Sequence, residues 1–393
     1  MFERNLTTDE PASPFADEPD AHRGNGDRPG SDGPSAELRE LLHAAAEREA
    51  SDVHLVAGYP PTFRVHGNLE PTGDATLEPD QLERLVRSVV PERAPLSARQ
   101  SRSFESSIAI THNGSPCRFR ASVYLAQGRW CACLRHIPHE IPSFEWLGFP
   151  EDLAERLISH TNGLVVVTGV TGSGKSASLA ALIAFLRRKG NHHVLTVEEP
   201  IEYVHLPGLG GIVTHREVGR DVDSFANGLK YGLRQDPDVI LVGEIRDRDT
   251  AQMALSAAET GHLIFTTLHT RDAKGGLTRL VDLFPYDSQD DIRKQLAMSL
   301  RSVVSQHLLP SAVSGEKRVL ALEVLHANQQ VQVAIRAGKI ESIESAIQTG
   351  KRDGMIALDD DLQRLVRLGK ITLETARRFA KDPAGIVGPT RSW

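Results

Sequence analysis

The feature that most constrains this chain is a glycine-rich loop ending in lysine and serine. Residues 169–176 read GVTGSGKS, which fits the pattern GxxxxGK[ST]. An apolar stretch, Leu164–Thr168, precedes the loop, and Ser176–Arg188, with apolar residues at helical spacing, follows it. In such a strand, loop and helix, backbone N–H groups and the amino end of the helix bind phosphate. The motif therefore predicts a nucleotide site in an α/β fold.

We expect the whole loop to bind the phosphates of ATP. Glycines let the backbone turn inward around phosphate oxygens. Lys175 would place its cation against the β and γ phosphates, and the Ser176 hydroxyl would bind Mg²⁺. The predicted nucleotide-binding set is Gly169, Thr171, Gly172, Ser173, Gly174, Lys175 and Ser176.

A second motif is an apolar stretch, Val239–Gly243, that ends at the carboxylate of Glu244. An apolar strand followed by an acid is common in proteins, but beside a phosphate-binding loop it indicates a Walker B residue. We expect Glu244 to polarise water or to hold the metal shell. The predicted metal-binding residues are therefore Ser176 and Glu244.

Composition and apolar periodicity divide the chain into two structured parts. Residues 37–145 contain strand-like stretches and two helical ones, which predict a small α+β domain on an antiparallel sheet. After a linker over residues 146–162, short apolar strands alternate with helices over 163–274, as in a parallel sheet flanked by helices. We expect residues 275–382 to be mostly helical.

Both ends of the chain are expected to be loose. Residues 1–36 hold many Pro, Gly, Asp and Ser residues and few large apolar ones, so they cannot offset the entropy of ordering and are predicted to be disordered. Residues 383–393 are predicted to be a loose tail. The N-terminus lacks an apolar secretory core, and the apolar runs are too short to span a membrane, so we expect a cytoplasmic protein.

Charge and cysteine content exclude several classes of function. The net charge is −7 and aromatic residues make up 5%, which argues against a nucleic-acid motor with a basic, aromatic channel. The three cysteines, Cys117, Cys131 and Cys133, provide neither a disulfide framework nor a zinc site.

With these motifs in view, the chain resembles the PilT-type secretion ATPases, the motors of type IV pilus retraction and twitching motility, over about residues 37–380. Besides the phosphate loop, the resemblance rests on these segments: Ser51–Gly67, Val194–His205, Leu233–Asp247, Ala257–Thr270 and Ala346–Met355. It implies a PAS-like N-terminal domain, a RecA-like ATPase domain and a helical C-terminal subdomain. It also implies a homo-hexamer that acts on a platform protein at the inner membrane.

The resemblance assigns further site residues. Glu202 corresponds to the catalytic glutamate that polarises the attacking water, whereas the residues alone leave Glu198 and Glu199 equally open. His262 and His269 would act near the nucleotide and the subunit contact. The implied arginine fingers are Arg120 and Arg135, which in the family reach nucleotide bound at the neighbouring C-terminal domain.

Other interpretations remain open within the same family. The segment Gln330–Ala337 departs from the retraction pattern, with Gln332 in place of arginine and Ala337 in place of an acid. An accessory retraction ATPase is therefore an alternative. A pilus-assembly or type II secretion ATPase is another, although such motors usually carry a four-cysteine zinc motif, and here every cysteine precedes Gly169.

Overall fold

The computed structural model describes residues 34–388, except 66, 90–102, 138–139, 209 and 314. Of the segment predicted to be disordered, residues 1–33 lie outside the described residues. Ser35 accepts a hydrogen bond from the Leu38 N–H as the N-cap of the first helix, which begins at Ala36. In the predicted tail, residues 389–393 also lie outside the described part.

The first domain packs two helices, α1 and α2, against an antiparallel sheet. In the described residues the sheet has six strands in the order β3-β2-β1-β6-β5-β4. Residues of β2 and of most of β5 alternate between buried and less buried positions, and Phe63, Phe119 and Leu134 are fully buried. The bounds are α1 (Ala36–Glu47), β1 (Asp52–Leu55), β2 (Thr62–Val65), β3 (Asn68–Pro71), α2 (Pro79–Arg87), β4 (Ser103–His112), β5 (Ser115–Ala126) and β6 (Arg129–Ile137).

Two short helices at the predicted linker pack on the second domain: α3 (Phe144–Leu147), which begins two residues before the predicted linker, and α4 (Glu151–Ile158), which lies within it. The ring of Phe144 meets the ring of Phe185 edge-on, with their centroids 5.3 Å apart. Leu153 and Leu157 are buried in the same core cluster as the strand residues Val165 and Val167. This segment therefore fixes the beginning of the second domain against its central sheet.

The second domain is a sheet of seven described strands with helices on both faces. The strand order is β13-β12-β7-β11-β10-β8-β9, and every neighbouring pair is parallel except β12 with β13. The elements up to residue 274 are β7 (Gly163–Thr168), α5 (Lys175–Lys189), β8 (His193–Glu198), β9 (Ile212–Glu217), α6 (Phe225–Gly232), β10 (Val239–Val242), α7 (Arg248–Glu259) and β11 (Leu263–Leu268).

The expectation of mostly helix after residue 274 is wrong for two stretches. β12 (Leu300–Leu309) pairs with the central strand β7, and β13 (Val319–His326) pairs with β12. Both strands are almost entirely buried. The mostly apolar run of β13 has no alternation, so its sequence does not separate strand from helix, and β12 is interrupted by polar residues such as Arg301 and Gln306. The helices of this part are α8 (Ala273–Asp282), α9 (Gln289–Ser299), α10 (Gln329–Arg336), α11 (Ile343–Thr349), α12 (Leu358–Arg367) and α13 (Leu373–Phe379).

The predicted loose tail is ordered as far as the structure describes it. Ile386 is buried in a cluster with Leu309, Leu362 and Ile371. Its carbonyl accepts hydrogen bonds from Arg377. Residues 383–388 are therefore part of the domain, and the expectation of a loose tail is wrong for them.

Across the described ranges, no helix combines the length and the apolar character needed to cross a bilayer.

Candidate nucleotide site

A cleft of about 1200 Å³ lies between the first domain and one edge of the second sheet. It collects most of the predicted site residues: Arg120, Arg135, Thr171, Gly172, Ser173, Gly174, Lys175, Ser176, Glu202, Glu244 and His269. The topology accounts for this, because β7, β8, β10 and β11 are parallel and their carboxyl ends meet at one edge. The residues that follow each strand therefore face a common space.

The phosphate-binding loop has a backbone that only glycine tolerates at its beginning. Gly169 has a φ of +149°, and a Cβ there would lie 2.6 Å from the carbonyl oxygen of Gln306. Gly174 has a φ of +89° and caps the amino end of α5. The loop is therefore closed tightly against β12, with the helix N-terminus behind it.

Lys175 lies within this loop. Its side chain is largely buried, and its Nζ donates to the carbonyl oxygens of Gly169 at 2.8 Å and Val170 at 3.3 Å. Burial lowers the pKa of Lys175, although the charges of Glu244 and Glu202 act in the opposite direction. A buried cation of this kind is strongly stabilised when a negatively charged phosphate binds beside it.

One buried hydroxyl in the loop lacks a protein partner. The Ser173 Oγ makes no hydrogen bond within the described part of the chain, and the residue is 1% exposed. A buried hydroxyl without a partner costs free energy. Together with Lys175 and the tight glycine turn, this hydroxyl makes the loop a fitting cradle for phosphate oxygens.

A charged cluster lies at the ends of β10 and β11. The Glu244 carboxylate is mostly buried, forms an ion pair with Arg246 and lies 3.1 Å from the His269 Nε2. Arg246 also bonds Glu199 at 2.9 Å. Burial alone would lower the pKa of Arg246, but its hydrogen bond to Glu244 and the nearby carboxylates raise the pKa overall. Glu244 and His269 are therefore brought together at the cleft.

The three acidic residues that the sequence left open have different environments. Glu199 is paired with Arg246, and a Glu198 oxygen lies 3.6 Å from the His215 Nδ1. Glu202 lines the cleft and makes no hydrogen bond or ion pair with any residue in the described ranges. Of the three, Glu202 has the carboxylate that is free to bind a water molecule.

Arg120 and Arg135 are directly opposite each other on β5 and β6, so their side chains share one face of the first sheet. The Arg120 Nε donates to Glu105, and the Arg135 Nε donates to Asp52, both at 2.8 Å. Burial alone would raise the pKa of Asp52, but hydrogen bonds from Arg135 and Ser51 lower it overall. The arginines are thus held by carboxylates and remain partly exposed at the cleft.

The arginines face the phosphate loop of their own chain. The expectation from the resemblance was that they reach a neighbouring C-terminal domain. Within one chain they already line the same cleft as Lys175 and Glu202. A second chain is therefore not needed to bring these four side chains to one space.

His262 is not brought to this cleft. It precedes β11, whereas His269 follows that strand, and the six intervening residues span roughly 20 Å. The His262 Nδ1 lies 3.3 Å from the Ala257 carbonyl oxygen. Its proposed role beside the nucleotide stays a prediction without a supporting contact in a single chain.

Sequence reasoning missed one wall of the cleft. Trp146 on α3 is 57% exposed, and the Lys317 Nζ lies 4.5 Å from the centre of its ring. Lys317 and Arg318 belong to the connection between β12 and β13 and line the same space. The adjacent basic residues Lys317 and Arg318 could have indicated a phosphate-facing loop. The sequence predicts a mostly helical connection here, however, so it does not assign the connection to the site.

Comparisons with known proteins agree with this site. A family model described as type II/IV secretion system protein matches residues 32–382. The chain is 40% identical to the type IV pilus retraction ATPase PilT of Pseudomonas aeruginosa over 350 residues, which cover 88% of this chain and 99% of that protein. It is 38% identical to a twitching motility protein of Neisseria gonorrhoeae over 345 residues, 88% of this chain and 91% of the relative.

Solved structures show the same similarity. A crystal structure of the pilus retraction motor PilT with bound ADP superposes with a TM-score of 0.77 at 40% identity, covering 88% of this chain and 97% of the other. The ATPase DotB of Legionella pneumophila has a TM-score of 0.70 at 28% identity, covering 90% and 97%. These findings confirm the resemblance and the α/β fold class that the sequence predicted. The chain is a member of the type II/IV secretion system protein family.

Proposed function

We propose that this chain is an ATPase that powers type IV pilus retraction and twitching motility. The observation that carries the proposal is one cleft in which the phosphate loop, the unpaired carboxylate of Glu202 and two arginines meet. Similarity to the pilus retraction ATPase PilT over most of both chains supports retraction as the task.

Each residue of the cleft has a distinct part in the proposed hydrolysis. Lys175 and the loop N–H groups would bind the phosphates of ATP, and Glu202 would orient water and accept its proton. Arg120 and Arg135 would neutralise negative charge that develops on the phosphate oxygens. Each arginine side chain is already held by a carboxylate, so it would lose little conformational entropy when the nucleotide binds.

Mg²⁺ fits the residues present. In the described part of the chain, no group of three or more His, Cys, Asp or Glu residues could hold a metal ion. Mg²⁺ commonly binds one or two protein groups together with substrate phosphates. Ser176 would supply a hydroxyl, and Glu244, already paired with Arg246 and His269, would act through a water molecule. When bound, the ion supplies positive charge to the phosphates.

Membership of the family supports a proposal for the wider assembly. We propose a homo-hexamer in the cytoplasm, at the inner membrane, where it acts on the pilus platform protein.

We also propose that the ATPase domain extends to about residue 326 rather than 274, since β12 and β13 complete its sheet. The helical subdomain would then begin at α10.

A second candidate is an accessory retraction ATPase. It is favoured by the composition of the segment Gln330–Ala337, where Gln332 and Ala337 differ from the retraction pattern. The chain is also 37% identical to the type IV pilus ATPase PilU of Pseudomonas aeruginosa over 348 residues.

Deletion of this chain in a host that carries it distinguishes the candidates. If the chain is the main retraction motor, its deletion should leave many pili that do not retract. Near-normal retraction would favour the accessory role, and loss of all pili would point to an extension motor.

Glu202→Gln tests the proposed chemistry. An amide keeps a hydrogen-bonding side chain but cannot accept a proton as a carboxylate does, so ATP binding should be kept and turnover should fall about 100-fold. Glu198→Gln and Glu199→Gln are the matched controls, with binding and steady-state hydrolysis measured on each preparation. Unchanged turnover in Glu202→Gln, with loss in either control, would move the catalytic role to another acid.

A further inference from the structure

The segment that carries Glu202 is held at both ends by side chains of β9. The Ile201 N–H donates to the Glu217 Oε2 at 3.2 Å, and the His205 N–H donates to the His215 Nε2 at 3.1 Å. Residues 215 and 217 are two apart in a strand, so they point to the same face. One face of β9 therefore accepts hydrogen bonds from the backbone on both sides of Glu202.

The contact at His215 requires one form of its ring. A backbone N–H only donates, so the Nε2 that faces it must be unprotonated. The Nδ1 then carries the proton and donates to the Thr196 Oγ1, 2.9 Å away on β8. The His215 and His205 rings also stack, with centroids 5.7 Å apart and planes 10° apart. The His205 N–H thus sets the tautomer of His215, and Thr196 and the stacked ring hold its orientation.

The contact at Glu217 is buried and reaches the first domain. Glu217 is 5% exposed, and its carboxylate also accepts a hydrogen bond from the Ser107 hydroxyl on β4. The positive charge of Arg118 acts on the same carboxylate. These partners offset the cost of burying a charge. The carboxylate is therefore fixed in space before it binds the Ile201 N–H.

The side chain of Glu202 has no such support. It forms no hydrogen bond or ion pair with the residues that the structure describes. Its position in the cleft is consequently set by the backbone of residues 201–205. A group that positions a water molecule has to be held within a fraction of an ångström of its productive place.

We propose that His215 and Glu217 are positioning residues that hold Glu202 against the cleft. This inference rests on the proposed ATPase function and adds two residues that are not among those lining the cleft. Loss of either acceptor leaves a backbone N–H without its partner and frees one end of the segment. Turnover should then fall, while nucleotide binding at the phosphate loop should be kept.

The test compares acceptor and non-acceptor variants in the full chain. His215→Leu and Glu217→Ala remove the acceptors, and we expect kcat for ATP hydrolysis to fall at least about 10-fold with KM changed less than about 2-fold. His215→Gln and Glu217→Gln keep a carbonyl oxygen that can accept the N–H, so they should recover most of kcat. His193→Leu is the control, because His193 is on β8 and bonds Asp236 and Thr214 rather than the Glu202 segment.

Different results would contradict the positioning role of His215 and Glu217 and the catalytic role of Glu202. Wild-type kcat in His215→Leu and Glu217→Ala overturns the positioning role, as does an equal loss in the glutamine variants. Full turnover in Glu202→Gln, measured alongside, contradicts the proposed catalytic role instead. If His215→Leu does not fold, His215→Asn replaces it, because its shorter amide cannot reach the His205 N–H, and wild-type kcat in that variant also overturns the inference.

Discussion

The Ser107 hydroxyl oxygen lies 3.0 Å from each carboxylate oxygen of Glu217. Ser107 is on β4, at one edge of the first sheet, and Glu217 is on β9, at one edge of the second. The two domains therefore meet edge to edge at a buried carboxylate. Because Glu217 also binds the Ile201 N–H, the contact between domains is one residue away from Glu202.

Ser107→Ala should weaken this contact. A buried carboxylate that loses a donor is poorly compensated, so we expect the free energy of unfolding to fall by about 1–2 kcal/mol. Urea unfolding followed by circular dichroism measures the change. Ser115→Ala is the control, because Ser115 is exposed at the beginning of β5. Equal unfolding midpoints for wild type and Ser107→Ala would show that the contact adds nothing to stability.

Lys175→Ala should weaken ATP binding strongly and leave the stability of the fold almost unchanged. The change removes a cation whose pKa is already lowered by burial, so stability without nucleotide should fall by less than about 1 kcal/mol. Affinity for ATP should fall at least about 100-fold, because Lys175 is the only cationic side chain in loop residues 169–176. Binding is measured with a fluorescent nucleotide. Lys189→Ala, at the exposed carboxyl end of the same helix, should bind as wild type does.

Mixing experiments should show whether the arginines act within one chain. Arg135 and Lys175 line the same cleft in a single chain. Subunits with Arg135→Ala and subunits with Lys175→Ala, each with little activity alone, should therefore stay inactive when assembled together, as measured by ATP turnover at several ratios. Recovery of turnover in mixed rings would show that the arginine of one subunit completes the site of another.

Acidification should destabilise the fold through buried histidines. Burial lowers the pKa of His205 to about 3 and that of His326 to about 4. The unfolded chain takes up these protons near pH 6.5, whereas the folded chain does so only at lower pH. Stability should therefore be fully present above pH 6.5 and decline as the pH falls from there towards 4, by up to roughly 1.4 kcal/mol per pH unit for each histidine.

The check is urea unfolding of wild type and His326→Gln at pH 7.5, 6.5 and 5.5. His326 is buried, and its Nδ1 contacts the Ser302 hydroxyl at 2.8 Å, so an amide can replace that contact. The variant should lose stability less steeply with falling pH. Identical slopes would mean that His326 does not bind a proton differently in the folded and unfolded chains.

The nucleotide loop was determined by local sequence. Residues 164–188 specify a strand, a glycine turn and a helix through neighbours in the chain, and the structure has these elements. The antiparallel first domain and the parallel core were predictable for the same reason, since alternating and continuous apolar patterns are local signals. The strands β3 and β9 were missed because they are polar or half-exposed and carry no such pattern.

Tertiary structure alone decided which residues share the site. Apart from the family resemblance, which assigned the role to Glu202, the residues left Glu198, Glu199 and Glu202 equivalent. In the structure, Glu198 and Glu199 have His215 and Arg246 as neighbours, and this sets Glu202 apart. Hydrogen bonds between domains and the pairing of β12 with β7 depend on residues more than a hundred positions apart, which local propensity does not register. The sequence by itself determined the strand, glycine turn and helix at which we propose that phosphate binds, and the packing of the two sheets decided which carboxylate and which arginines line the same cleft.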